Sequence, residues 1–147
     1  MKHLASFILV AAVLLLFSTC KKNTAAAAAA APAPADTSFK LSEATLLKQG
    51  AFSGNMSYAV SGAAKLYEYK SKKYLYLENY NGSSGPDLRV YISTNLQASQ
   101  FVSLGKIQAN SGNQVYLITS PPDFNTHNKI LIWCQQFSVL FGSSSLN

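Results

Sequence analysis

The residue in this chain whose type best suits redox chemistry is Cys134, which lies in the apolar, β-prone run 130–142. The only other cysteine, Cys20, closes an N-terminal hydrophobic stretch, so Cys134 has no partner for an internal disulfide. An unpaired thiol can form an intermolecular disulfide, a sulfenic acid or a coordinate bond. The alternative is that Cys134 is a small buried hydrophobe beside Trp133, as free cysteines commonly are.

A second candidate ligand is His127, in the polar loop 121–128 just before the cysteine strand. It could pair with Cys134 on a haem or a metal, and Met56 is a weaker axial candidate. The alternative is that this loop histidine is simply solvated. The chain has no Cys-x-x-Cys-His motif, so any haem would be bound non-covalently.

Other site chemistries find little support. One cysteine and one histidine cannot close a zinc site, which needs four ligands. The oxygen-rich segment 78–87 lacks the spacing of a calcium loop; Asn81 and Gly82 are a turn signal, and Asp87 is expected to cap loop amides. No Gly-x-Ser-x-Gly elbow accompanies the histidine. We therefore predict no metal site and a carrier or binding module rather than an enzyme with its own turnover.

Tyrosines recur at alternate positions of two neighbouring segments, which is the spacing of one strand face. Aromatic rings on such a face can stack on sugars or dock a partner protein. The alternative is cross-strand pairing that stabilises the hairpin. The tyrosines of this predicted face are Tyr67, Tyr69, Tyr74, Tyr76 and Tyr80.

The elements that position these residues are predicted to be short strands. Turn signals recur at short intervals between runs rich in Tyr, Val, Ile, Leu and Phe, which favours an all-β fold, a single sandwich or barrel of about eight strands. Residues 129–134 are apolar on both faces, so this strand should be central and its thiol largely buried. A helical turn is predicted at 42–49, with Ser42 as its cap and Gly50 as its stop. Strands are predicted at 60–69, 73–80, 87–93, 101–107, 114–119, 129–134 and 137–141.

The N-terminus has the pattern of an export signal. Residues 4–17 are almost entirely apolar but shorter than the roughly 20 residues of a membrane-spanning helix. The stretch ends in a lipobox-like Leu-Phe-Ser-Thr-Cys at 16–20, so Cys20 is predicted to be lipidated, and Lys21 after it is typical of sorting to the outer membrane. The alternative is a soluble secreted or periplasmic protein cleaved in the alanine run 25–31.

These patterns divide the chain into a signal peptide at 1–19, a lipidated, Ala/Pro-rich tether at 20–38 and one domain at 39–147. The formal net charge of +6 includes two tether lysines, so the domain itself is only mildly basic. No basic patch with interleaved aromatics is present, which argues against nucleic acid as a partner. The predicted partners are the membrane, through the lipid anchor, and a redox protein or an envelope glycan.

Five segments of the domain form a recognisable pattern: Val60, Ser61 and Gly62; the strand start 85–93 with Gly85, Pro86, Asp87 and Leu88; the turn 102–105; the apolar strand ending in Trp133 and Cys134; and the segment 137–142 with Phe137 and Gly142. Together they resemble the DM-thirteen domain, over about residues 50–146. The resemblance implies an electron-transfer or redox module whose signature cysteine, here Cys134, acts as a free thiol or ligates a group such as haem. The ending Ser143, Ser144, Ser145, Leu146 departs from the usual pattern of the family.

Together the sequence predicts a cell-envelope lipoprotein that takes part in redox or electron transfer through Cys134. The alternative function is a cofactor-free module that binds glycan or protein on its tyrosine face.

Overall fold

A computed structural model describes residues 38–147; the predicted signal peptide, Cys20 and the tether up to residue 37 lie outside them. Eight antiparallel strands form one nearly closed, barrel-shaped sheet, which confirms the all-β prediction. In the described part, no helix is long and apolar enough to cross a membrane. The strands are β1 (Thr45–Gly54), β2 (Val60–Tyr69), β3 (Lys72–Gly82), β4 (Leu88–Ser93), β5 (Phe101–Lys106), β6 (Ser111–Ile118), β7 (Lys129–Cys134) and β8 (Val139–Ser145).

The order of strands around the barrel is β5-β4-β7-β8-β1-β2-β3-β6. The central position predicted for 129–134 is confirmed, because β7 pairs with both β4 and β8. The end strands β5 and β6 approach each other without pairing among the described strands. At one end of this seam, glutamine side chains join the connection 107–110 to β6: Gln108 Nε2 donates to the carbonyl of Val115 at 2.8 Å, and Gln114 Nε2 donates to the carbonyl of Ala109 at 2.7 Å.

Three sequence predictions are corrected by the structure. Residues 42–49 do not form a helical turn: a short 3₁₀ turn covers only Leu41–Glu43, and β1 begins at Thr45 because cross-strand pairing with β2 and β8 outweighs the weak local helical signal. The last strand begins at Val139 rather than at 137, and it lies between β7 and β1. Asn81 and Gly82 are not a turn, because β3 continues through them.

The antiparallel strands give the barrel two distinct ends. The cysteine end is formed by the connections at 55–59, 83–87, 107–110 and 135–138, next to Cys134. The histidine end is formed by the connections at 70–71, 94–100 and 119–128, and it also carries the start and finish of the described chain, residues 38–44 and 146–147. The interior between them is filled with aliphatic and aromatic side chains.

Candidate functional site

Cys134 is a free, fully buried residue at the last position of β7. Its side chain belongs to the interior cluster with Ile130 and Ile132, as the alternation of the strand predicts. It forms the terminal pair of two ladders, with Leu88 of β4 and with Val139 of β8. The next residue, Gln135, is exposed. The thiol is therefore buried, but it belongs to the last strand residue before the chain becomes exposed to solvent.

The segments of the family resemblance meet around this end of β7. The amide of Gln135 donates to the carbonyl of Asp87 at 2.9 Å, just beyond the last pair of β4 and β7. A Cβ atom at Gly85 would lie 2.9 Å from Cδ2 of Leu88 and 3.0 Å from Cζ of Phe141. Glycine at this position thus lets the 83–87 connection lie close against the barrel end.

Gly142 has a similar packing role on β8. A Cβ atom there would lie 2.6 Å from Cβ of Val60 and 2.8 Å from the carbonyl oxygen of Ser53. Only a residue without a side chain allows this approach. Phe141 beside it stacks on Tyr58, with ring centroids 3.8 Å apart and planes 14° apart. This stack closes the barrel near the cysteine.

Asp87 does not cap loop amides as predicted. Its carboxylate accepts from Arg89, with Nε to Oδ1 at 3.0 Å and Nη2 to Oδ2 at 3.3 Å, and Nζ of Lys106 lies 4.0 Å away. Two cations so placed satisfy the carboxylate more strongly than neutral loop amides would. Pro86, directly before it, is exposed.

Trp133 and Phe137 lie outside the barrel wall. Trp133 is half-buried and stacks at 6.5 Å on Tyr91, which stacks at 4.1 Å on Phe101. Burial raises the pKa of Tyr91. Phe137 lies in the turn between β7 and β8 with 64% of its surface exposed.

His127 does not meet Cys134. It precedes β7 at the histidine end, where its Nδ1 lies 3.1 Å from the hydroxyl of Thr126. Cys134 ends the same strand, and six extended residues span about 16 Å. Met56 is at the cysteine end but 92% exposed. Within residues 38–147 no group of three or more His, Cys, Asp or Glu side chains could hold a metal. The residues present therefore do not fit a haem ligated by both Cys134 and His127.

A family model, described as "Electron transfer DM13", matches residues 51–146, which is most of the chain. The chain belongs to the DM13 family. The match covers β2 to β8 and the end of β1, and so includes Cys134 and every segment that carried the resemblance. No curated protein and no solved structure matches the chain.

Outside the DM13 match, Phe39 covers most of the predicted tyrosine face. Its ring centroid lies 4.7 Å from that of Tyr74, and Tyr67, Tyr69 and Tyr76 lie 5.9–6.5 Å away. These tyrosines are buried, at most 9% exposed. Sequence reasoning did not foresee this contact, because a single aromatic residue after an Ala/Pro-rich tether carries no periodic signal.

Tyr80, by contrast, is not on that face. A positive φ of 48° at Asn79 and a shift of register between Leu77 and Tyr80 form a bulge, which turns the Tyr80 side chain into the barrel. Its hydroxyl has no hydrogen-bond partner among the described residues, and burial raises its pKa to about 12. The prediction that Tyr80 shares a face with Tyr74 and Tyr76 is therefore wrong.

Proposed function

We propose that this protein is a cell-envelope lipoprotein whose DM13 domain is a redox or electron-transfer accessory module acting through Cys134. The observation that carries this proposal is the position of the thiol. Cys134 is the only cysteine of the described residues, and it closes two ladders at the end of the barrel. Terminal pairs open locally at much lower free energy than a whole domain unfolds.

The chemistry proposed is thiol–disulfide exchange with a partner protein that carries a disulfide. After local opening, the Cys134 thiolate attacks one sulfur of that disulfide, and the sulfur–sulfur bond of the partner breaks as a mixed disulfide forms. The released sulfur takes up the proton that Cys134 gave. A thiol from outside the domain resolves the mixed disulfide, because residues 38–147 contain no second cysteine.

An export signal and a lipid anchor support this chemistry, since disulfides persist in the oxidising cell envelope. Residues 4–17 and the lipobox ending in Cys20 supply both features. The outer membrane is the proposed location because Lys21, rather than an acidic residue, follows Cys20.

The test traps the mixed disulfide in the native host. Cells that express the full chain are quenched with acid, blocked with N-ethylmaleimide and separated on non-reducing gels. We expect a heavier species that disappears on reduction and is absent from the Cys134→Ser variant. If none forms, and the thiol of the purified chain reacts with an aromatic disulfide reagent only after unfolding, Cys134 is a core residue and the proposal fails. A Soret band in the purified chain that is lost in Cys134→Ser would instead indicate cofactor chemistry.

A second proposal, binding of an envelope glycan or a protein on the tyrosine face, is favoured by one observation. The ring of Phe39 is already held against Tyr67, Tyr69, Tyr74 and Tyr76, so this face accepts a flat apolar ring. Such a ligand must displace Phe39. We expect Phe39→Ala to strengthen binding of purified envelope glycan and Tyr74→Ala in the same background to abolish it. Equal binding by all three proteins would refute this proposal.

A further inference from the structure

Two large apolar side chains stand in solvent at the cysteine end. Met56, in the turn after β1, is 92% exposed, and Phe137, in the turn after β7, is 64% exposed. The other large hydrophobic residues exposed in the described chain reach only 41–43%. Asn55 ties the first turn to β8: its amide donates to the carbonyl of Phe141 and its side-chain Nδ2 to the carbonyl of Leu140, both at 2.9 Å. Both side chains thus project from one rim.

Two independent features make methionine an unfavourable residue at position 56. Its φ of 54° is in the left-handed region, which glycine and asparagine adopt far more readily than a residue with a long side chain. Its side chain also gains nothing from packing, since almost all of it is exposed. Neither the backbone conformation nor packing in the core therefore favours a methionine at this position. Methionine is adaptable and is common on surfaces that receive a partner.

A recess of about 490 Å³ opens beside Met56, between the turn after β1 and the end of β3. Its wall mixes apolar and polar residues, among them Tyr58, Val60 and Asn81, and Tyr58 is held in place by its stack on Phe141. This volume lies in the range of sites that receive a small molecule or a protruding side chain.

The charges at the cysteine end favour carboxylates on the surface of the partner. Asp87 is neutralised by Arg89, whose side chain is 15% exposed, while the side chain of Lys106 is 65% exposed at 4.0 Å from Asp87. This cluster therefore carries one positive charge in excess, and it is presented mainly by Lys106.

We infer that Met56, Phe137 and the adjoining recess form the docking surface for a partner protein, one that offers an apolar side chain flanked by carboxylates. This inference rests on the proposed function, because the surface surrounds the end of the barrel where Cys134 opens to solvent. Apolar anchors that fill a pocket within a polar rim are typical of such interfaces.

The position of the chain's start favours a protein over a membrane as the occupant. The described chain begins at Ser38, and Phe39 holds this start against β2 and β3 at the histidine end. A membrane anchor upstream of Ser38 would therefore join the domain at the histidine end, opposite Met56 and Phe137. Exposed lysines at this end, including Lys70, suit anionic headgroups.

The experiment places a photoreactive benzoylphenylalanine at Met56 or Phe137 of the full chain in the native host. Matched controls carry it at Leu47 and Leu96, which are exposed apolar residues near the histidine end. The cross-linked protein is identified by mass spectrometry and purified, and its Kd is measured with the full chain. We expect cross-links at 56 and 137 only, and at least a tenfold higher Kd for Met56→Asn combined with Phe137→Ser. Leu47→Ser and Leu96→Ser should leave the Kd unchanged. Asparagine tolerates the backbone at 56, so the variant should fold.

Four outcomes would overturn the inference: equal cross-linking at the controls, an unchanged Kd, a product that is a second copy of this chain, or loss of binding to phosphatidylcholine–phosphatidylglycerol vesicles in the double variant. Two other outcomes distinguish a failure of the proposed function from a failure of this inference. A partner that binds wild type and Cys134→Ser equally but forms no mixed disulfide supports docking and refutes exchange. A mixed disulfide that forms equally in the double variant supports exchange and refutes docking.

Discussion

At the scale of single residues, position within a ladder matters as much as burial. Cys134 and Ile132 are both fully buried, but Ile132 has paired residues on either side along β7, whereas Cys134 is the last. Opening one terminal pair exposes the thiol without disturbing the rest of the core. Val139 of β8 is half-buried and pairs with Cys134, so it is the residue whose truncation should ease this opening.

We predict that Val139→Ala accelerates the reaction of the Cys134 thiol with an aromatic disulfide reagent, by about tenfold for each 1.4 kcal/mol by which the opening is made easier. Stopped-flow absorbance of the purified full chain measures the rate, with Cys134→Ser defining the background. Val102→Ala, a partly buried position on β5, is the matched control and should leave the rate unchanged. Equal acceleration in both variants would indicate global unfolding rather than local opening.

A second residue-scale prediction concerns the buried phenol of Tyr80. Its pKa is raised from 10.0 to about 12 by burial, so the folded state holds it neutral where the unfolded state ionises. Its contribution to stability is therefore fully present below pH 10 and is lost as the pH rises to about 12. Since its hydroxyl lacks a partner among the described residues, Tyr80→Phe should be neutral or stabilising by about 1 kcal/mol near neutral pH.

Urea unfolding at pH 8 and at pH 11 measures both effects. The wild-type protein should lose more stability over this interval than Tyr80→Phe does. The pKa of Tyr116 is also raised, chiefly by burial and to a smaller extent by the neighbouring Tyr80, so its effect on stability largely cancels in the comparison. Identical losses in the two proteins would contradict the assignment to Tyr80.

At the scale of elements, the segment before β1 belongs to the folded domain. Phe39 packs on the outer face of β2 and β3, Lys40 pairs with Glu43 at 2.9 Å, and the hydroxyl of Tyr69 donates to Glu43 at 3.3 Å. The DM13 match begins only at residue 51, so these contacts are additional to the matched region.

We predict that Phe39→Ala lowers the free energy of unfolding by about 1–3 kcal/mol, less than for a fully buried phenylalanine because the ring is half-buried. It should also raise the tyrosine fluorescence accessible to acrylamide. Leu47→Ala, an exposed apolar residue on β1, is the control and should change stability by less than about 0.5 kcal/mol. Equal effects would mean that the Phe39 contacts contribute little.

The pairing of elements also explains which predictions from sequence were correct. Residues 129–134 are apolar on both faces, and this strong local signal predicted both ends of β7 correctly. The segment 42–49 had only a cap and a stop as its signal, and its true conformation depends on β2 and β8, which are distant in sequence. The prediction for the face of Tyr80 failed for the same reason, because one bulged residue exchanges the two faces of the part of the strand that follows it.

At the scale of the whole molecule, the two ends of the barrel differ. The start of the described chain lies at one end and Cys134 lies at the other. This arrangement is compatible with the proposed lipoprotein, in which a tether upstream of residue 38 and a partner at Cys134 would occupy different surfaces.

We predict that Cys20→Ala moves the protein from the membrane to the soluble fraction and abolishes incorporation of labelled palmitate. The reason is that several acyl chains, at about 0.8 kcal/mol for each buried methylene, are the proposed anchor. Cys134→Ser is the matched control and should stay in the membrane fraction with its label. Release of Cys134→Ser as well, or retention of Cys20→Ala, would contradict a lipid anchor at Cys20.

The sequence alone determined the β class, the core strand β7 and the burial of Cys134, because each depends on the local pattern of apolar residues: short β-prone runs between turn signals, and a run that is apolar on both faces at 129–134. Only the tertiary structure decided which residues meet. It separated His127 from Cys134 along one strand, brought Asp87 to Arg89 and Lys106, and placed Phe39 over the tyrosines. These outcomes depend on register, bulges and barrel closure, which arise from hydrogen bonds between strands distant in sequence and leave no local pattern to read.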